Sequence, residues 1–144
     1  MEPSQVWQII VLIILLVLSG FFSMSETALM ALSKIRIRHM VDDGVKGAKL
    51  VEKLTEDPNK LLGAILIGNN IVNILASSLA TTLFVSLVGP SGVGIATAVM
   101  TVLVLIFGEI TPKSIAKQKS EQVSLKVSKP ISIIVKLFKP FIGI

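Results

Sequence analysis

The sequence predicts an all-α membrane protein, with three transmembrane helices and short amphipathic juxtamembrane helices, and three observations carry that prediction. The chain is 52% hydrophobic and only 16% charged over 144 residues, with a mean hydropathy of +0.82; soluble domains rarely show this balance. Its apolar residues gather in three long stretches, about 6–32, 61–88 and 93–112, and none of them holds more than one charge. All fourteen Lys and Arg fall in two blocks, 34–60 and 113–139. Bases clustered beside apolar runs are what the positive-inside rule expects. Nucleic-acid binding, the ordinary reading of a net charge of +5, is therefore set aside. The chain has no cysteine, which excludes disulfides and thiolate metal sites. Its length suits a single domain, 1–144.

At 1.5 Å per residue the first stretch makes a helix of roughly 40 Å, against a hydrocarbon core of about 30 Å. Tilt or a kink is expected, with Ser19-Gly20 as the kink point. Residues 1–5 carry no base, so the stretch is a retained span and not a signal peptide. Ser19, Ser23 and Glu26 recur at i, i+4 and i+7 and share one helix face. Small hydroxyl residues also serve ordinary helix packing in membranes. Lys34-Ile35-Arg36-Ile37-Arg38-His39 then reads as a cytoplasmic stop, with His39 an interfacial residue. Residues 45–56 set Leu50, Val51 and Leu54 against Lys46, Lys49 and Lys53, an amphipathic helix lying on the membrane surface. Asp57-Pro58-Asn59 breaks it and offers Asn59 as N-cap of the next helix.

The second stretch, 61–88, carries no charge, yet its centre reads Gly68-Asn69-Asn70-Ile71-Val72-Asn73, followed by Ser77-Ser78. Asn70, Asn73 and Ser77 share a face, and Asn69 pairs with Asn73 at i, i+4. Interhelical hydrogen bonding is the ordinary use of such residues, at about 0.6 kcal/mol on average. That small return for three amides in hydrocarbon favours a polar cavity. Gly63, Ala64, Ala76 and Ala80 are the small residues available for a helix–helix or subunit contact.

Gly89-Pro90-Ser91-Gly92 is an uncharged turn. The third stretch ends in Gly108-Glu109-Ile110-Thr111-Pro112-Lys113. An ionisable residue inside a span costs at least a few kcal/mol and points to function. Pro112 has no N–H, so a helix through it leaves the carbonyl four residues back, that of Gly108, without its partner. A carboxylate and a freed carbonyl side by side suit a hard cation. The alternative is a helix end at the membrane face, with Glu109 reaching to water. The remainder, 114–144, is amphipathic and interfacial; its last 15 residues or so are too short and too charged to span, and the apolar ending suggests a truncated chain. Three spans with both basic blocks inside put the N-terminus outside and the C-terminus in the cytoplasm.

Three motifs, Ser19-Gly20-Phe21-Phe22-Ser23-Met24-Ser25-Glu26-Thr27-Ala28-Leu29, Gly68-Asn69-Asn70-Ile71-Val72-Asn73 and Gly108-Glu109-Ile110-Thr111-Pro112-Lys113, together resemble the transmembrane domain of the CorC/CNNM family of magnesium transporters. The likeness covers nearly the whole chain. It implies a homodimer in the cell (inner) membrane and magnesium efflux driven by sodium entry, with Mg2+ as the transported ion and Na+ as the coupling ion. It also implies a cytoplasmic CBS-pair domain that binds ATP and follows the segment present here. Carried over residue by residue, it puts the magnesium ligands on Ser23, Asn70, Glu109 and the carbonyl of Gly108, with Ser19 as an addition. Ser25, Glu26, Asn69, Asn73 and Pro112 are candidates for supporting those ligands or for a sodium site. No nucleophile–base pair stands out, so an enzyme is not expected. The reading from a different class is a magnesium-sensing or tethering membrane domain that moves no ions.

Overall fold

The computed structural model describes residues 3–142, and among them it contains helices and no strand. The helices are α1 (Pro3–Ala31), α2 (Lys34–Asp42), α3 (Ala48–Thr55), α4 (Pro58–Val88), α5 (Gly92–Leu103), a π-helical segment (Val104–Ile110), α6 (Thr111–Gln118) and α7 (Ser120–Ile142). Three are long and apolar enough to cross a membrane: α1, α4, and the continuous run Gly92–Gln118. Expectations about the chain ends at residues 1–2 and 143–144 lie outside the described residues.

α1 and α4 run antiparallel, in a register that three contacts fix. Gln5 Nε2 donates to Ser86 Oγ (3.3 Å), Ser19 donates to Asn73, and the Phe22 ring lies over Gly68. A Cβ on Gly68 would stand 2.6 Å from that ring, so only glycine lets the aromatic close onto α4. α1 continues without interruption through Ser19-Gly20, the expected kink point. The pair instead forms a flat contact surface: a Cβ on Gly20 would meet the Phe107 carbonyl oxygen at 2.9 Å.

α4 begins one turn earlier than its apolar run. Asp57, not Asn59, is the N-cap, its Oδ1 accepting from Lys60 N (3.2 Å), with Pro58 in the first turn. Proline's fixed φ suits that position and its missing N–H costs nothing there. Gly89 (φ +85°) closes α4 by turning into a conformation that side chains disfavour. The stop sequence after α1 is itself a helix, α2, capped by Ser33 Oγ on Arg36 N (3.1 Å). Sequence pattern gave it no periodic apolar face long enough to register as an element.

The core has two parts. One lies within the spans, where Leu12, Ala76, Ala80, Ala96 and Met100 join α1, α4 and α5. The other, around Leu29, Ile37, Val51, Leu61, Ile65 and Ile131, ties α2, α3 and α7 to the adjacent ends of α1 and α4. Ala64, Ala76 and Ala80 are buried inside this single chain, so they serve α4's own packing and not a contact between subunits. Their small size lets neighbouring backbones approach closely. The uncovered surface of α4 and α5 mixes apolar side chains such as Leu66, Ile74 and Val93 with polar ones: Asn70, Ser77, Ser78, Thr82, Thr97 and Thr101 are all exposed.

Candidate metal centre at the π-helical turn

The third span cannot stay α-helical to its end. Thr111 N–H donates five residues back, to Ile106 O, and the π register spans Val104–Ile110. Continued by one residue, that register needs an N–H from Pro112 for Phe107 O, and proline has none. The simple α count from Pro112 reaches Gly108; the π count reaches Phe107. Both adjacent carbonyls therefore border the proline gap. Single-turn π segments tend to mark functional sites, and the wide turn here redirects the backbone toward α1.

α1 meets that turn with its two smallest consecutive residues. Gly20 abuts Phe107 O and the ring of buried Pro112, whose Cγ would lie 3.2 Å from an added Cβ. Ser19 abuts Gly108: a methyl group there would stand 2.9 Å from Ser19 Oγ. The Ser19 hydroxyl, 1% exposed, donates to Asn73 Oδ1 at 2.7 Å. Asn69 Oδ1 lies 3.5 Å from Ser19 Oγ, and Asn73 Nδ2 donates to it, also at 3.5 Å. Three side-chain oxygens from α1 and α4 thus converge against the backbone of a π turn, at mid-span in both helices.

The residues singled out by sequence divide on this geometry. Ser19, Asn69, Asn73 and Gly108 are brought together. Ser23 is buried one turn along α1. Ser25 is buried too, its hydroxyl donating to Phe21 O at 2.7 Å within its own helix. Glu26 is partly exposed further along. Asn70 faces away, exposed on α4. Glu109 follows Gly108, but its carboxylate is 39% exposed and stands 3.7 Å from Lys113 Nζ, one turn on. Among the described residues no cluster of three His, Asp or Glu side chains gathers. The oxygens that meet at Ser19, Asn69 and Asn73 are all neutral, and Glu109 is the acid next to Gly108 in the chain.

A groove of about 270 Å3 leads away from Asn73 between α4 and α5, lined by Ser77, Thr81, Thr97 and Thr101. Thr81, Thr97 and Thr101 donate back to their own helices at 2.7–2.9 Å, which leaves their oxygens to accept or coordinate. The groove runs toward the Gly89 turn, whereas Glu109 and Lys113 lie toward the basic end of the spans. The periodic hydroxyls of α5, Thr97 and Thr101 at i, i+4, are the signal in the sequence for this feature.

Comparison with known proteins bears on this arrangement. A family model described as the Cyclin M transmembrane N-terminal domain (CNNM) matches residues 10–144. A UPF0053 protein of Haemophilus influenzae is 48% identical over 133 residues, covering 92% of this chain and 32% of that protein. The UPF0053 inner membrane protein YfjD of Escherichia coli is 50% identical over 107 residues, 74% of this chain and 25% of its own. A chloroplastic DUF21 domain-containing protein of Arabidopsis thaliana is 36% identical over 136 residues, 91% of this chain and 21% of its own. The chain thus spans between a fifth and a third of the length of these relatives.

Proposed function

The chain belongs to the CNNM transmembrane-domain family and is a multi-pass membrane protein; from that premise we propose that it moves magnesium ions out across the membrane, with sodium entry as the driving force. The observation that carries this reading is the meeting of Ser19, Asn69 and Asn73 oxygens with the Gly108 backbone inside the spans. Octahedral Mg2+ at 2.0–2.1 Å requires neighbouring ligand oxygens to be about 2.9 Å apart. The O···O separations from Ser19, 2.7 and 3.5 Å, bracket that spacing. Such a site needs little movement to take the ion and has no soft ligand to draw zinc or copper.

The charge comes from Glu109. Its carboxylate rests on Lys113 and turns toward Gly108 when the cation arrives, joining the Gly108 carbonyl, Ser19 and Ser23. Asn70 joins only by a rotation of α4, or from the opposite side through a second copy in a homodimer. The hydroxyl-lined groove beyond Asn73 gives the ion a way toward the uncharged turn; the Glu109 end gives access from the basic, cytoplasmic side. Closing one while opening the other is alternating access. No bond is made or broken. The N-terminus lies outside, both basic blocks lie in the cytoplasm, and the membrane is the cell (inner) membrane. ATP acts only through a cytoplasmic domain beyond this segment.

The test is magnesium loss from loaded proteoliposomes carrying an internal indicator, with and without an opposing sodium gradient, using the longest chain that contains this domain. Sodium-dependent loss that disappears in Glu109→Gln, with the variant still folded, is the expected result. Specific binding with no flux under any gradient would instead identify a magnesium-sensing or tethering domain.

A further inference from the structure

A second cleft, about 240 Å3, lies away from the Asn73 site, between α3, the first turn of α4 and α7. Four lysines line it: Lys53 from α3, Lys60 from α4, and Lys136 and Lys139 from α7. Its floor is apolar, with Leu54 and Leu61 at the base. Gathering four like charges around one concavity is unfavourable unless something anionic sits among them. The chain supplies little. Asp57 is the one acid on the rim, and its carboxylate caps α4 by accepting from Lys60 N. Among the described residues no carboxylate comes within 4.0 Å of any of the four lysines, whereas Arg36 and Lys113 each have one.

The depth of the cleft decides what kind of anion fits. Lys60 stands directly before Leu61, where the apolar run of α4 begins, so the rim lies at the membrane boundary. α7 carries Ile133 and Leu137, 62% and 67% exposed, beside Lys136 on its uncovered side, while Lys136 and Lys139 also line the cleft. A helix whose uncovered side mixes apolar side chains with lysines lies in the interfacial layer, the lysine stems reaching out so that their cations stand at headgroup level. A soluble anion would use the lysines and leave the leucine floor wet. A phospholipid uses both, its phosphate among the ammonium groups and the start of its acyl chains on Leu54 and Leu61. Basic pockets between helices at this level are a recurrent mode of anionic lipid recognition.

We infer that the cleft between α3, α4 and α7 is a binding site for one anionic phospholipid, which ties the interfacial helices to the second membrane span. It lies apart from the ion site, so the inference stands whether or not the chain transports magnesium.

The experiment is native mass spectrometry of the purified chain, titrated separately with phosphatidylglycerol, phosphatidylcholine and inorganic phosphate. The variants are the pairs Lys136→Gln/Lys139→Gln and Lys53→Gln/Lys60→Gln. The control is Lys46→Gln/Lys49→Gln, which removes the same charge from residues that do not line the cleft. Each cleft pair should weaken phosphatidylglycerol retention by at least about tenfold, from the loss of two headgroup contacts. The control should retain it as the parent does, and phosphatidylcholine should be held poorly by all. An equal fall in the control would mean a diffuse basic face and overturn the site. Equal retention of phosphatidylcholine would mean a merely apolar patch. Phosphate binding as tightly as the lipid would make it a soluble-anion site. Either of these results also overturns the inference. All substituted lysines are exposed, so the fold does not depend on them.

Discussion

Replacing Gly108 with alanine tests whether the Ser19–Gly108 approach sets the geometry of the site. The added methyl would lie 2.9 Å from Ser19 Oγ, 3.5 Å from Val104 Cγ1 and 3.6 Å from Ser19 Cβ. Only the first distance is too short, so the strain has one identifiable partner. Overpacking of this kind costs about 1–3 kcal/mol, offset in part by the better helix propensity of alanine, up to about 1 kcal/mol. Ser19→Ala alone removes the hydroxyl and its bond to Asn73, worth about 0.6 kcal/mol in a membrane. In the double variant the oxygen is absent and the remaining contacts are ordinary. Gly108→Ala in the Ser19→Ala background should therefore be nearly neutral or stabilising. The double-mutant cycle should show a favourable coupling of about 1–2 kcal/mol, read by equilibrium unfolding in mixed detergent micelles. Additive costs, to within about 0.5 kcal/mol, would refute the contact. Gly20→Ala supplies the contrast, because its methyl would meet the backbone oxygen of Phe107, which cannot be truncated. Its cost should match or exceed that of Gly108→Ala, and Ser19→Ala should not relieve it. Gly94→Ala, with nothing within 4 Å of the added atom, should be harmless to the single chain.

Asn73→Ala and Asn70→Ala separate the observed cluster from the ligand set implied by family resemblance. Loss of magnesium affinity in calorimetry for Asn73→Ala alone would place the ion on the α1–α4 cluster; loss for Asn70→Ala alone would require α4 to rotate or a second subunit to contribute. Pro112→Ala supplies an N–H to the carbonyls of the π turn, and proline costs about 3 kcal/mol against alanine in a helix interior. The variant should melt no lower than the parent yet bind magnesium more weakly, and unchanged affinity would show that the site does not depend on the proline gap. The Arg36–Glu121 pair joins α2 to α7; the hydrogen bond from Arg36, and then its charge, hold the Glu121 carboxyl below its usual range. A depressed carboxyl pKa gives stability that is present above the unfolded value, about 4.3, and lost as pH falls through the folded one. The protection of α2 amides, measured against their intrinsic exchange rate at each pH, should therefore fall on acidification below that value in the parent, and Glu121→Gln should remove this pH dependence.

The architecture was legible because membrane physics leaves few choices. An apolar run of about 20 residues must satisfy its backbone internally, so it is a helix. The interfacial helices were harder. The basic run at α2 shows only a stop signal in the sequence, because charge dominates its composition and its two buried residues, Ile37 and Met40, are too few to show a period. α7 passes through Pro130 and Pro140 without ending, although proline normally predicts a break. Its buried Val123, Val127 and Ile131, at i, i+4 and i+8, hold it on the bundle regardless. Tertiary burial overrode local propensity in both places.

At the site, residue types were legible and their partners were not. Serine and asparagine in hydrocarbon announce a polar contact, but helical spacing allows Asn70, Asn73 and Ser77 to share one face as readily as Asn69 and Asn73. The choice between those faces is made by α1. Phe22 needs a residue with no side chain opposite it, and Gly68 is that residue. Once Phe22 closes on Gly68, the antiparallel register sets Ser19 against Asn69 and Asn73 and turns Asn70 outward. The π turn completes the arrangement for a related reason. Shifting the bonding from four residues back to five brings the Phe107–Gly108 backbone against Ser19-Gly20, where both glycines leave room. Neither the aromatic–glycine lock nor the π register carries a polar signal in the sequence, yet these two apolar features decide which oxygens face one another.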